Sequence, residues 1–580
     1  MKKFENGTAG IVKEPVLGIW GYSSDAPEVA HHDSGAALIA DGRVLAAVNE
    51  ERFTRNKNEG RWPQASIRYV LDEAALDIKD VALVGMAGLS PLPRAVVMGT
   101  ELLRAFLRTG SFLPNRWLYA LLTAKKLRRV PPAGTRCGVR FVDHHTAHAA
   151  SAFFTSGFER AAVVTLDGIG DSAWCGGVWR AQGTRLECLR RFTGYASPGL
   201  LYSYVTKSFG FRPARHEGKV TGLAAYGDPE RLLPEFRGCL SYCNRRLYSD
   251  FIPTLFRARV DAEWESSWID RLLDSHSRED IAAALQRHTE EIVVAIVKDA
   301  VEDTGLEDVA VAGGVFANVA VNRKVRENIS GRLWIHPNMG DGGLGLGAAC
   351  FAARTHVSFP DVFLGPSPSP AEEPRPPDFI PKNPARFLAE AVAAGRVVGV
   401  VRGRMEYGPR ALGHRSIFVK ADDASINESL NRRLKRTEFM PFAPIMTETA
   451  ARRFLRNWNP GDRPSRFMTI TYDVTEDCRR AAPAVVHVDG TARPQVVSGD
   501  EDPFLKEFLE EYGRLAPGGS GSYGGGAGTE IVVNTSFNVH EEPIVCSVED
   551  ALRSLERGAV DLVLTDKGVY GSPAEWEEIS

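Results

Sequence analysis

Near its start the chain alternates dense apolar runs with short polar breaks. Val16-Leu17-Gly18-Ile19-Trp20 predicts a buried strand, and Ser34–Ala40 with Arg43–Asn49 flanks Asp41-Gly42, the signature of a hairpin with a primed turn. Both arms of the hairpin are apolar, which suits a sheet covered on both faces. Glu50–Lys57, polar except for Phe53, predicts a loop. The same order returns later: Ala161–Leu166 as a strand, Asp167–Asp171 as a Gly/Asp-rich turn, and Ala173–Arg180 with Arg185–Arg191 as a second hairpin. Strand, polar turn and hairpin appearing twice predict an internally duplicated α/β domain.

Actin-like and sugar-kinase-like ATPases are such duplications, with phosphate-binding turns between their strands. At the level of fold this favours nucleotide binding and leaves the reaction open. Ile281–Thr304 has helical spacing and leads to the strand Val309–Ala312, then Gly313-Gly314-Val315-Phe316-Ala317-Asn318. A strand running into Gly-Gly and a helix lets backbone approach a ligand, with helix N–H groups facing it. A tight turn with nothing bound carries the same signature. A second glycine-rich turn, His336–Gly347, also enters a helix, and its Asp341 is either a metal ligand or a helix N-cap.

From Phe359 to Pro384 prolines crowd the chain, predicting a linker or surface strap with no core of its own. A helix, Ala385–Ala394, and a strand, Val397–Val401, then open a second domain. The expected division is 1–358, a linker at 359–384, and 385–580. Two domains also follow from length, since 580 residues exceed the roughly 250–300 that one core serves. Pro517–Gly528 is glycine-rich but lacks the strand and Lys-Ser/Thr of a phosphate-binding loop, and predicts a floppy insertion.

Composition narrows the partners. A net charge of −3 gives no basic field, so nucleic acid is not implied. Met1–Gly10 has no apolar stretch behind its lysines, and no run reaches the roughly 18 apolar residues of a membrane helix. Eight scattered cysteines, with only Cys239 and Cys243 close together, suggest reduced thiols and a cytoplasmic protein.

The chemistry concentrates in two places. In Val142–Ala150, His144 and His148 are four apart, which on a helix puts both imidazoles on one face. Asp167, nineteen residues after His148, ends an apolar run, so a carboxylate stands at a strand's carboxyl end, where α/β sheets usually bind ligands. Two His and a carboxylate suit iron, manganese or zinc; two polar helix residues and no metal is the plainer alternative. In the second domain, Tyr407–Ser416 places Arg410 and Arg415 on a Gly/Pro-shaped turn. Asn431–Pro444 adds Arg432, Arg433, Lys435 and Arg436, His487–Gln495 adds Arg493, and Val533–Asn538 ends a strand in small polar residues. Guanidinium forks with amide and hydroxyl donors suit a small anion such as a phosphate or acyl phosphate. A solvated basic surface is the alternative.

These segments together resemble the O-carbamoyltransferases of the nodulation-protein and antibiotic-tailoring family. The resemblance runs through EERFTRNK, DHHTAHAASAF, TLDGIGD, HEGKVTGLAAYGDP, AGGVFANVAVN, GDGGLGLGAA, YGPRALGHRSI, PFAPI, HVDGTARPQ and NTSFNVHEEPIV, in family order from about residue 16 to 565. It implies an actin-like first domain and a smaller α/β second domain similar to YrdC-like synthases. It implies that ATP with Mg2+ and carbamoyl phosphate give carbamoyl adenylate, and that a small-molecule hydroxyl acceptor then takes the carbamoyl group. His144, His148, Asp167 and Asp341 would hold a divalent metal, Fe2+ first, with Mn2+ or Zn2+ as alternatives. His32 and Lys57 would act at the transfer site, with His32 a plausible general base. His216, Glu217, Lys219, Gly313, Gly314, Val315 and Asn318 would line the adenylate pocket, and Arg410, Lys435, Arg493, Asn534 and Ser536 would hold carbamoyl phosphate. Two positions depart from the family pattern: Met440 stands where relatives often have Arg, with Arg436 a neighbour able to replace it, and Glu541 stands where they often have Gly.

A small-molecule phosphotransferase is the first competing expectation, and it leaves the second domain's cations without a task. A relative of the tRNA-threonylcarbamoylating enzymes is the second, and it lacks the basic face that tRNA needs. Residues 85–135 and 230–280 are expected to hold the segments that shape the acceptor site; within them apolar Leu89–Leu122 and aromatic-rich Arg245–Trp268 serve that role or are helical packing. The acceptor, the native metal and the oligomeric state, a homodimer among the options, stay open.

Overall fold

Asp41 and Gly42 have φ of 50° and 69°, the left-handed backbone that the hairpin turn demands. In this computed structural model, which describes residues 14–22, 32–88, 131–170, 174–249, 268–368, 373–436, 441–498, 501–515 and 529–572, that turn joins β2 (Gly35–Ala40) to β3 (Arg43–Asn49). They extend β1 (Val16–Trp20), which also pairs in parallel with β4 (Leu83–Ala87), itself parallel to β5 (Gly138–Val142). The sheet order is β3-β2-β1-β4-β5.

The second sheet repeats this plan. β6 (Arg160–Leu166), β7 (Trp174–Gln182) and β8 (Arg185–Thr193) form strand and hairpin. A small ribbon of β9 (Ser241–Cys243) and β10 (Arg246–Tyr248) intervenes, and β11 (Val309–Ala312) and β12 (Leu333–Ile335) then complete the order β12-β11-β6-β7-β8. Read from its hairpin edge, this is the strand order of the first sheet, so the duplication expected from the hydrophobic pattern is present in the topology. After the fifth strand of each sheet comes a helix: the histidine helix His144–Ser156 after β5, and the glycine helix Leu344–Ala353 after β12. They pack closely. A Cβ on Gly347 would stand 1.9 Å from the Ala147 carbonyl oxygen, and one on Gly18 of β1 would stand 1.9 Å from that of Gly345.

A third, mixed sheet contains β13 (Val398–Val401), β14 (Arg415–Val419), β15 (Ala443–Thr447), β18 (Gln495–Val497), β19 (Ile531–Ser536), β20 (Leu562–Thr565) and β21 (Val569–Gly571) in the order β18-β15-β19-β14-β13-β20-β21. β16 (Tyr472–Asp473) and β17 (Thr491–Ala492) form a separate short ribbon. The helices Pro384–Ala393 and Pro503–Leu515 cover one face through Leu388, Phe508 and Leu509. Asn383 caps the first of these by accepting the Arg386 N–H at 2.9 Å, and Pro384 at its first position has no N–H to satisfy.

Two expectations change. Glu50–Lys57 is not simply a polar loop: Glu51–Thr54 is a helical turn, and Glu50, Glu51 and Arg52 are buried. Glu50 accepts the N–H groups of Ala65 and Ser66 at 3.0 and 2.7 Å, which caps the start of the helix Gln64–Glu73 from outside. The proline-rich strap does join a core, because Phe359, Val362 and Leu364 are buried with residues of the first two sheets. Asp171, Ala173, Leu89–Leu122, Met440, Pro517–Gly528 and most of Arg245–Trp268 lie outside the described residues. Among the described residues, no helix is long and apolar enough to cross a membrane.

Candidate active site

The histidine helix begins at Asp143, whose side chain accepts the Thr146 N–H at 3.2 Å. That cap fixes the helix start and aims His144 and His148 at the carboxyl ends of the second sheet. His148 Nε2 lies 3.1 Å from Asp167 Oδ2 and 3.5 Å from Asp341 Oδ1; His144 Nε2 lies 3.5 Å from each. One donor atom from each of the four residues falls within 4.8 Å of all the others. Asp341 caps no helix with its side chain, so of its two expected roles the structure brings it to the histidines. His145, between them in sequence, turns away to the Trp174 carbonyl at 2.7 Å. Burial, with His144 and His148 alongside, pushes its imidazole down to about 4, which keeps it neutral.

This donor set fits a divalent cation. Ligand atoms about 2.1 Å from a first-row ion in tetrahedral array stand roughly 3.4 Å apart, close to the spacings here. Two carboxylates this buried are costly without a compensating positive charge. Burial pushes the Asp167 carboxyl up, but His144 and His148 beside it hold it well below the usual carboxylate range. Gly314 leaves room for this residue, since a Cβ there would stand 2.8 Å from Asp167 Oδ1.

The first sheet supplies His32. Trp20, at the end of β1, donates its indole N–H to the His32 carbonyl at 2.9 Å and packs edge-on against His144. His32 Nδ1 lies 3.0 Å from Asp33, and Asn58 donates to the other Asp33 oxygen at 3.0 Å. Burial alone would lower the His32 imidazole, but the carboxylates of Asp341, Asp33 and Asp167 outweigh it and push it up to about 10. Arg215 donates through Nε to the Asn58 side-chain oxygen at 2.6 Å and through a second nitrogen to the Lys57 carbonyl. No composition or spacing signal marked Arg215 or Asp33; their role is visible only once three distant segments meet.

The expected adenylate residues divide. Gly313, at φ 107°, sits so tightly over β6 that a Cβ would meet the Leu166 carbonyl at 2.1 Å. Val315 is buried in the turn that follows. Asn318 caps the helix Val319–Glu327 and bonds Gln286 at 2.7 Å. Glu217 accepts from Ser203 and the Ala214 N–H at 2.8 and 2.7 Å, and buried Lys219 lies 5.7 Å from the Phe211 ring centre. His216 is turned elsewhere, to Glu541 at 2.8 Å.

In the third sheet, Glu406 accepts the N–H groups of Leu412, His414 and Arg415 at 2.7, 2.9 and 3.1 Å and so shapes the turn that carries Arg410. Arg410 Nε is buried with no hydrogen-bond partner among the described residues, and burial pushes the guanidinium down to about 10. Asn534 donates to the Ala411 carbonyl at 3.3 Å and to Gln495 at 2.6 Å, leaving its own oxygen buried without a donor. Arg493 is half-buried between β17 and β18. Arg415, expected to share anion binding, is instead structural: fully buried, it donates to the carbonyls of Pro366, Arg402, Gly403 and His414. Lys435 is exposed at φ 55°, while its neighbour Arg436 reaches Thr535, Ser536 and Asn538 at 2.8 to 3.1 Å. The two halves meet where the Tyr407 hydroxyl donates to the Gly342 carbonyl at 2.7 Å, next to Asp341.

The structure thus holds a duplicated α/β scaffold whose histidine–carboxylate cluster is joined to a sheet bearing buried arginines. Comparison with known proteins gives the class of enzyme, a transferase. Family models described as carbamoyltransferase N-terminus and carbamoyltransferase C-terminus match residues 28–350 and 389–570, and the chain belongs to the carbamoyltransferase family. It is 32% identical to nodulation protein NolNO of Sinorhizobium fredii, over 96% of this chain and 82% of the relative. It is also 32% identical to uncharacterized protein sll1178 of Synechocystis sp., over 97% of each, and 26% identical to nodulation protein U of Sinorhizobium fredii, over 94% and 98%. Among solved structures, T. kodakarensis HypF aligns over 59% of this chain and 48% of its own at 13% identity, with a TM-score of 0.33, an overlap too slight to argue from.

Proposed function

We propose that the protein is an ATP-dependent O-carbamoyltransferase in which carbamoyl phosphate, water and ATP give carbamoyl adenylate, phosphate and pyrophosphate, and the carbamoyl group then passes to a hydroxyl of a small, natural-product-like acceptor. The carrying observation is the Tyr407–Gly342 bond, which holds the Arg410 turn against the turn bearing Asp341. On this reading the duplicated half is actin-like and binds nucleotide, and the third sheet belongs to a YrdC-like half that binds carbamoyl phosphate. Arg410 Nε and the Asn534 oxygen, buried and without partners among the described residues, offer a donor and an acceptor to that acyl phosphate.

His144, His148, Asp167 and Asp341 would hold the metal, which when bound would act as a Lewis acid toward carbamoyl or phosphoryl oxygens. A cation held there would offset the Asp167 and Asp341 charges that push the His32 imidazole up, with Asp33 as its remaining carboxylate neighbour. His32 can then accept the acceptor's hydroxyl proton while Asp33 holds its Nδ1 side. Arg410 and Arg493 offset charge as phosphate departs.

Mass spectrometry of purified protein with ATP, carbamoyl phosphate and Mg2+ or Fe2+, without acceptor, tests this. Carbamoyl adenylate, or AMP and pyrophosphate that form only with carbamoyl phosphate, is the expected result. ADP with untouched carbamoyl phosphate overturns it in favour of a phosphotransferase.

A further inference from the structure

Where the loop after Glu51–Thr54, the loop before Glu217–Leu223 and the turn after β19 meet, one carboxylate faces two arginines, a lysine and two imidazoles. Glu541 takes Arg215 Nη1 at 2.5 Å and His216 Nε2 at 2.8 Å, with Arg212 at 3.9 Å and His540 Nε2 at 3.7 Å. Lys57 is half-buried beside them and, among the described residues, has no ion-pair partner for its ammonium. Glu541 itself sits at φ 64°, a left-handed conformation that a non-glycine residue adopts at a cost. It is also a third exposed, so solvent and solutes reach it. An excess of fixed positive charge around a strained, accessible carboxylate is the arrangement expected where an internal group fills a place built for a stronger anion.

We infer that Lys57, Arg212, Arg215 and His216 form a binding site for the polyphosphate end of a ligand, pyrophosphate or the tail of ATP, and that Glu541 is its built-in competitor. This deepens the nucleotide reading of the proposed function and rests on it for the ATP arm alone. A metal is the other ligand that His216, His540 and Glu541 could suggest, since their donor atoms lie within 4.8 Å of one another. The Arg212 backbone N–H, however, donates to His216 Nδ1 at 3.1 Å. The lone pair is therefore on Nδ1, and Nε2 carries the proton given to Glu541, which leaves Nε2 a donor toward anions and a poor metal ligand.

Calorimetric titration of the full chain with pyrophosphate, orthophosphate and ATP tests the site, using wild type, Glu541→Gln and Glu541→Gln combined with Lys57→Gln. Removing the competing charge should tighten pyrophosphate about tenfold, and the added Lys57→Gln should reverse most of the gain. Orthophosphate, which spans fewer of the cations, should gain less. Pyrophosphate affinity that is unchanged or weaker in Glu541→Gln overturns the inference. A wild type that binds ATP together with a Glu541→Gln that does not respond to pyrophosphate sinks the site and spares the nucleotide reading. A wild type blind to ATP, with the pyrophosphate gain intact, does the reverse. One equivalent of Zn2+ lost in His216→Gln but retained in His148→Ala would replace the anion site with a metal site.

Discussion

The two five-stranded sheets share a strand order and differ in what they place at equivalent points. β6 runs directly into Asp167, a carboxylate facing two imidazoles; β1 ends in Trp20, which buries its ring against His144 and fixes the His32 backbone. The helix after β5 carries both histidines, while the helix after β12 is made of small residues, with its one ligand candidate, Asp341, in the turn before it. The first copy thus gives the two imidazoles, and the second gives the two carboxylates together with the close approach of a glycine helix. The scaffold is symmetric because sheet packing is satisfied by apolar pattern alone, whereas a four-donor cluster needs different residues from each side.

His148→Ala breaks this asymmetry most severely. It should remove the stoichiometric metal seen by inductively coupled plasma mass spectrometry and lower transfer by more than about 100-fold, since even outer partners of metal ligands cost 10- to 100-fold. Asp341→Asn should act in the same direction from the other copy. If metal content and rate survive both, the cluster is a hydrogen-bonded polar core and no metal centre.

Next in size is the third sheet, which is proposed to hold the anion and has no copy. Arg410→Gln should slow AMP formation from ATP and carbamoyl phosphate by about 100-fold, the usual loss for one preorganised donor. Lys435→Gln should leave it within about twofold, because exposed charges contribute little; equal losses would mean that Lys435 swings into the site. This pair also marks how far the sequence could be read. The hairpin at Asp41-Gly42, the helical pairing of His144 with His148 and the duplicated layout were legible because each is local or periodic. Which of Lys435 and Arg436 reaches the β19 strand was not, because residue 435 is left-handed and turns its own side chain outward, and only the fold shows that Arg415, on the same turn as Arg410, is spent on backbone carbonyls. Likewise Glu50, Glu51 and Arg52 read as a solvated run, since their partners, from Ser66 to Gly408, are distant in sequence.

Gly347→Ala tests the other contribution of the glycine helix. A Cβ aimed at the Ala147 carbonyl forces the two helices apart, and overpacking of this kind costs about 1–3 kcal/mol. Urea denaturation should show that loss together with weaker metal retention, because the same displacement moves Asp341 away from His148. A loss of stability with metal binding untouched would show that the two helices position their ligands independently.

The smallest effect lies at Glu541, and its sign is the informative part. Burial pushes this carboxyl up, but His216, Arg215 and Lys57 hold it down at about 2. An unfolded glutamate titrates near about 4.3, so the stabilisation is fully present above that value and fades as pH falls toward about 2. Because the side chain is more than a third exposed, solvent screening keeps the loss in Glu541→Gln below about 1 kcal/mol at pH 7. The difference from wild type in urea midpoint should narrow below about pH 4.5. A gap that stays constant with pH would trace to packing and not to the carboxylate. The same substitution is expected to weaken the fold slightly while tightening pyrophosphate, and a merely structural ion pair has no reason to produce those opposite signs.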